Sequence, residues 1–413
     1  MKRIVILVIM LFAWLQAAQA GGYMIHEMAT RSAGMASAFT AISDDASAAW
    51  HNPAAVAFIE GSQAMAGGAA IFSPGADYTP NGLGATTADS AASKTFFVPH
   101  TYFTYMDQES GLGATLSVNS PFGLETDWRV GGPLQSSSTF SRINMVIVNP
   151  SVVFQISEQL SIAAGVDYAY LMKVDFNSAS QILAGENEDG WGGNASIFYK
   201  GDTVNLGITY RSRITIDVDG VITGGPLLAG FGLNGATTPG STSLTLPDQV
   251  NVGLAWMPNE DWTLSVDVDW VNWKTFDSID IVYTPSALST VLTAADPVAH
   301  YKSIPENWNA TVAFKVGAEW KYKQNMRARF GYVFDPTPIE DVDFSPGIPG
   351  NDRHIFSTGF GYDMNENTTI DLAYAFVYFV DRSQTASTGT NAVRNGEYKS
   401  TAHIAMASFN YRF

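Results

Sequence analysis

Residues 262–270 read Trp-Thr-Leu-Ser-Val-Asp-Val-Asp-Trp. Large apolar side chains occupy every even position, and Thr263, Ser265, Asp267 and Asp269 fill the odd ones. Successive side chains of an extended chain point to opposite faces, so this stretch carries one face of Trp, Leu and Val and one of hydroxyls and carboxylates. The pattern recurs. Ile370, Leu372, Tyr374, Phe376 and Tyr378 alternate with Asp371, Ala373 and Ala375, and Val250, Val252, Leu254 and Trp256 alternate with Asn251, Gly253 and Ala255. At the C-terminus Ala405, Ala407, Phe409, Tyr411 and Phe413 alternate with Met406, Ser408, Asn410 and Arg412. Runs of about ten residues with this dyad period, and with aromatics near their ends, mark strands that cross a membrane with apolar side chains toward lipid.

Working outward from these runs gives about fourteen segments by the same strand rules. They are 62–72, 95–106, 111–119, 139–156, 159–176, 190–200, 203–219, 242–257, 261–276, 309–322, 325–335, 353–362, 367–380 and 398–413. Six tight turns, such as Asp107 to Ser110 and Lys323-Gln324, alternate with seven long loops, such as 120–138 and 277–308. Short periplasmic turns and long external loops on an even-stranded antiparallel barrel produce that rhythm. Closure also pairs every backbone group, as lipid demands. The expected fold is therefore all-β: a membrane-spanning antiparallel β-barrel of about fourteen strands over 62–413, with a small N-terminal hatch, 21–61, folded into the lumen.

Residues 1–20 have the anatomy of a secretory signal peptide. Lys2 and Arg3 precede the apolar run Ile4 to Leu15, and Ala18-Gln19-Ala20 offers a small-x-small cleavage site. Removing Lys2 and Arg3 deepens the formal net charge from −17 to −19, which argues against a nucleic-acid partner. The absence of cysteine excludes disulfides, thiolate metal sites and a cysteine nucleophile, and suits an oxidising compartment. The chain is therefore expected in the outer membrane of a Gram-negative bacterium, with outer-membrane lipid, lipopolysaccharide and the barrel-assembly machinery as expected partners and a monomer as the expected state.

Residues 21–60 lack the period-two pattern and are rich in Ala, Ser and Met. Ser43 is expected to cap a helix with Asp44 and Asp45 in its first turn, and Pro53 to stop it at about Asn52. A barrel of fourteen strands conducts water unless it is filled, so this small, apolar segment is expected inside as a plug.

With those residues in view the chain resembles the FadL/TodX family of outer-membrane channels for long-chain fatty acids and other hydrophobic molecules. The likeness rests on Arg31 to Ala36, Ser43 to Ala46, Asn52-Pro53-Ala54, Ser120 to Leu124 with Trp128, Leu246 to Val250, Pro305-Glu306-Asn307-Trp308, and the run Gly331 to Pro338 followed by Pro349 to Arg353. The resemblance implies a fourteen-stranded barrel with an N-terminal hatch. It also implies passive uptake: capture at the external loops, a greasy internal pocket, and lateral release beside a kink in the third strand. The expected cargo is a long-chain fatty acid or, alternatively, an aromatic or other hydrocarbon. No cofactor and no metal is expected.

Each candidate site has a bland alternative. Asn52, Pro53 and Ala54 are read as hatch seating or gating, against a plain helix stop. Asn119, Ser120, Pro121, Phe122 and Gly123 are read as the kink and lateral opening, because Pro121 cannot donate to a ladder. Lys173, where the resemblance implies a basic residue, and Lys302 are candidates for a ligand carboxylate, although Lys173 also fits a rim lysine. Asp335 is a candidate polar contact with the hatch, or a turn former before Pro336. The letters GxGxxG at Gly230 to Gly235 fall in a loop without βαβ context, and His26-Glu27 lacks a second histidine at Thr30. A general porin would want a charged open lumen, whereas the lumen-facing positions are read mainly as Gly, Ala, Ser, Thr and Asn. An outer-membrane hydrolase is disfavoured by the lack of a nucleophile–histidine constellation, so the chain is read as not an enzyme.

Overall fold

The computed structural model describes residues 22–413, so the signal-peptide segment lies outside the described residues. Fourteen antiparallel strands close one barrel. They are β1 (Ser62–Ser73), β2 (Lys94–Asp107), β3 (Leu112–Asn119 and Gly123–Asp127), β4 (Phe140–Gln155) and β5 (Leu160–Asn177). Next come β6 (Gln181–Tyr199), β7 (Val204–Arg211 and Ile214–Gly224), β8 (Thr237–Leu246 and Gln249–Asn259), β9 (Trp262–Val271 and Ser278–Tyr283) and β10 (Tyr301–Pro305 and Thr311–Lys323). The last four are β11 (Met326–Asp335), β12 (Arg353–Asn365), β13 (Thr368–Gln384) and β14 (Gly396–Arg412). The seam is shut by β1 on β14, from Gln63 opposite Arg412 to Phe72 opposite His403. Sheet edges that would otherwise seek another chain are thereby removed.

The alternation seen in the sequence sorts side chains as lipid requires. Trp262, Val266 and Trp270 are exposed, as are Leu206, Ile208, Trp256, Leu372 and Phe409, while Ser265, Asp267 and Asp269 are buried in the lumen. So broad an apolar exterior would aggregate in water and is satisfied by acyl chains.

Several strands run longer than expected and are interrupted. In β7 to β10 the interruptions start just beyond one rung, where Arg211 faces Gln249, Gln249 faces Val271, and Val271 faces Thr311. Below this rung Leu206, Ile208 and Tyr210 face lipid; above it Ile214, Ile216 and Val218 face inward, with Thr215, Asp217 and Asp219 outside. All the apolar members of that series are even-numbered. The break at Ser212-Arg213 shifts the phase by one residue and turns the same alternation inside out. The result is a lumen apolar toward the long loops and polar toward the short turns.

The hatch lies inside the barrel. Its helices are single turns, α1 (Thr30–Ala33) and α2 (Ala48–His51), followed by a 3₁₀ stretch Pro53–Phe58. The helix expected from Ser43 begins later. Ser43 has φ 38° and donates its hydroxyl to the Phe39 carbonyl, while α2 has Ser47 as its N-cap without a side-chain cap bond, and Asp45 accepts from the Ser47 amide at 2.8 Å just ahead of it.

Candidate functional site

The hatch is seated by close backbone approach. A β-carbon at Gly359 would lie 3.0 Å from the Gly34 Cα; at Gly317, 2.7 Å from the Met35 carbonyl oxygen; at Gly253, 2.8 Å from the Thr40 side chain. Gly207 and Gly331 are filled in the same way by Thr40 and by Met35-Ala36. These glycines sit on β7, β8, β10, β11 and β12, so about a third of the strands are kept free of side chains where the hatch passes. Asp267 of β9 then accepts the Phe39 and Thr40 amides at 2.9 and 2.8 Å.

Asn52, Pro53 and Ala54 lie against the adjoining strands β5 and β6. Asn52 is wholly buried; its amide donates to Thr40 O at 3.0 Å and Ile197 O of β6 at 3.2 Å, and its oxygen accepts from the Ala54 amide. Ser196 Oγ also accepts from that amide, and Ser161 Oγ donates to the Ala54 carbonyl at 2.6 Å. Pro53 starts the 3₁₀ turn, where its missing N–H costs nothing.

Beneath the hatch, toward the short turns, the lumen is a cavity of about 800 Å³ lined by charge. Arg31 bridges Glu319 on β10, through two bonds of 3.0 Å, to Asp44 of the hatch at 2.5 Å. Arg329 joins Glu319 and Asp371, each at 2.5 Å, and Lys315 pairs with Asp269. Arg211 binds Asp167 at 2.6 Å and lies 3.6 Å over the Trp50 ring. The expectation of a lumen poor in charge therefore fails in this half: the carboxylates are there, paired to cations of wall and hatch. Buried ion pairs tolerate no removal of one partner, so they fix geometry more than they add net stability.

Asn119, Ser120, Pro121, Phe122 and Gly123 span the interruption of β3. The ladder between β2 and β3 ends at Thr101 opposite Val118, and beyond it residues 95–100 have no ladder partner on the β3 side among the described residues. At the far margin Lys94 reaches Asp127 at 2.8 Å and Glu125 at 3.2 Å. The ladder between β2 and β3 is thus interrupted, a break referred to as the window, with a cavity of about 180 Å³ lined by Lys94, Leu124 and Tyr398 beside its far margin. The kinked chain bonds inward instead. Ile25 N donates to Pro121 O at 2.9 Å, Gly123 N donates to Tyr23 O at 3.0 Å, and Met24 bridges Phe122. The start of the hatch holds the ladder positions that β2 would otherwise take.

Above the kink the apolar lumen is continuous. Tyr23 packs on Phe122, Trp273, Phe276 and Trp308 with ring centroids 4.9 to 5.9 Å apart. The cluster extends through Ile214, Ile216, Val218, Ile279 and Ile281 to a cleft of about 40 Å³ between β6, β7, β8 and β9.

The two candidate lysines part company. A bulge at Met172 turns Lys173 outward, where it stands 3.9 Å from Glu186, exposed; this corrects the reading of Lys173 as a lumen cation. Lys302 faces Ile281 across the ladder and shares its inner side. Asp335 is buried, accepts from both Arg353 and His26, and so contacts the hatch. Arg353 also donates to Met24 O at 3.1 Å.

Sequence reasoning passed over Arg31, Glu319 and Arg329 as functional residues, because alternation alone does not say which charges meet across a lumen. The aromatic partners Trp273 and Phe276 sit in what reads as the end of one strand, and only the change from alternation to Trp-Lys-Thr-Phe hints at the break.

The profile of the family described as outer membrane protein transport protein (OMPP1/FadL/TodX) matches residues 11–413. A long-chain fatty acid transport protein of Escherichia coli is 25% identical, over 96% of this chain and 95% of that protein. Outer membrane protein P1 of Haemophilus influenzae is 24% identical over the same shares. Among solved structures, a Pseudomonas aeruginosa FadL homologue superposes with a TM-score of 0.76 at 20% identity, covering 95% of this chain and all of that one. The Pseudomonas putida toluene transporter TodX gives 0.69 at 18% identity, covering 96% and 99%. The chain belongs to the OMPP1/FadL/TodX family of outer-membrane transport proteins.

Proposed function

We propose that the protein is a passive channel through which hydrophobic molecules enter the cell: captured at the external loops, held in the apolar upper lumen, and released sideways through the β2–β3 window. One observation carries this reading. The apolar cluster reaches the window through Phe122, and the window's inner edge is bonded to Tyr23, Met24 and Ile25 of the hatch. Movement of the hatch start would free the edge. The axial route leads instead through the seated hatch into a charged cavity, where each buried methylene would forfeit about 0.8 kcal/mol on meeting water. A polar porin fits this lumen poorly.

The relatives' names favour a long-chain fatty acid, and toluene transporters of the same fold make aromatic hydrocarbons the alternative. Lys302, on the inner side at the loop end, is the candidate partner for a carboxylate. Native cysteine is absent, so cysteines introduced at Val98 and Ser120 can be joined across the window by a bifunctional thiol crosslinker. Bridging should block uptake of hydrophobic ligand, while the same bridge between Val266 and Val316, opposite each other on β9 and β10, should not. Normal uptake by the window-bridged barrel would overturn lateral release.

A further inference from the structure

Three polar groups meet inside the aromatic cluster. Tyr23, Trp308 and Glu306 are 3%, 2% and 4% exposed. The Tyr23 hydroxyl has no hydrogen-bond partner, and Trp308 Nε1 reaches only the Glu306 carboxyl, without the geometry of a full hydrogen bond. Glu306 lies in residues 306–310, the interruption of β10, and Asn307 turns there with φ 48°. Its backbone amide is fixed to Asp277 O at 2.8 Å. Burial pushes its carboxyl up to about 8, so it keeps its proton at neutral pH and can donate. Burial raises the Tyr23 phenol as well. The ring walls are Phe122, Trp273 and Phe276.

We infer that Tyr23, Trp308 and Glu306 form a head-group subsite, and that it selects an apolar cargo ending in an uncharged hydrogen-bond acceptor: an alcohol, ester, ketone or un-ionised acid. This rests on the hydrophobic-channel reading above and narrows its cargo. Buried donors left unpaired are costly, so an acceptor-bearing ligand is favoured over a pure hydrocarbon. An anion is not. The cation nearest the box, Arg394, acts on Glu306 but is committed to Ser137 Oγ and Phe344 O, and Lys302 lies four residues up its strand, about 13 Å away by extended-chain spacing. The box touches the window edge through Phe122, so the head would be read at the point where the tail leaves.

Equilibrium dialysis of the intact detergent-purified barrel against a matched set tests this: 4-phenyl-1-butanol, butylbenzene and 4-phenylbutanoate at neutral pH. The alcohol should bind at least ten-fold more tightly than the carboxylate. Tyr23→Phe and Trp308→Phe should each weaken the alcohol about five-fold, the value of one neutral hydrogen bond, and leave butylbenzene unchanged. Glu306→Leu should do the same, whereas Glu306→Gln, which still donates, should retain affinity. Heat-modifiable migration verifies that each variant is folded. Equal losses for alcohol and butylbenzene, or a carboxylate bound as tightly as the alcohol, would overturn the subsite. Failure of butylbenzene to bind the unaltered protein would instead sink the channel reading on which it rests.

Discussion

The two halves of the lumen are built by the same strands and differ in almost every property that matters to a solute. Toward the long loops the inner wall is Ile, Val, Leu and Trp; toward the short turns it is Asp, Glu, Arg and Lys, most of them paired. On β7 and β8 one even-numbered series of apolar residues serves both halves, lining lipid below the rung of Arg211 and Gln249 and lining the lumen above it. The difference shows that a one-residue phase shift suffices to convert a membrane anchor into a binding surface. The hatch sits where the halves meet, with its start bonded to the greasy half and its body clamped in the charged one.

Removing the hatch is the harshest way to break the comparison. Deleting residues 22–60 should turn a nearly silent barrel into one with large, steady conductance in planar bilayers, because nothing else bridges the lumen at the level of the glycines. Unchanged conductance would mean that the loops, not the hatch, close the channel. Arg329→Leu comes next. It leaves Glu319 and Asp371 buried beside each other, a loss on the order of 3–5 kcal/mol. The melting temperature in detergent should fall and brief channel openings should appear. An unaltered melt would show the charged floor to be hydrated and soft.

Gly331→Val should act more gently, by about 1–3 kcal/mol of overpacking against Met35 and Ala36. Its signature is a raised open probability with the barrel's own stability intact, read by conductance and heat-modifiable migration. The smallest effect concerns pH. Burial first, then Lys315, Arg211 and His100, depresses His51 to about 3. The unfolded or displaced hatch takes up a proton near 6.5, so seating is fully favoured above that value and weakens as pH falls toward 3. Asp45, raised by burial, shifts in the opposite sense at carboxylate pH. The difference between the native protein and His51→Leu isolates the imidazole: open probability should climb on acidification only while His51 is present.

The fourteen strands were legible because lipid on one side and a lumen on the other impose alternation that no turn can mimic, as at Trp262 to Trp270. The interruptions were not. In β7 and β8 the apolar residues stay even-numbered through Ser212-Arg213 and Pro247-Asp248, so periodicity carries no mark of the flip. Likewise Gln181 to Asp189 hides nearly half of β6 behind Gly, Glu and Asn, which suit a strand standing above the lipid. Pro121 announced its own break, and Asn52 its need for a partner, but neither could reveal that Tyr23 to Ile25 would complete the kinked strand. Lys173 misled because a bulge at Met172, invisible to alternation, reverses the direction of everything after it.

The bonds that seat the hatch also bear on how the protein comes to be assembled. Asn52 meets Ile197 across 145 positions of chain, Arg31 meets Glu319 across 288, and His26 meets Asp335 across 309. Contacts of such long range form only after most of the chain has been laid down, and they make folding slow. Yet the segment that makes them emerges first and must be enclosed before β1 joins β14. The last seam to shut is thus a deadline: a hatch that arrives late is locked out.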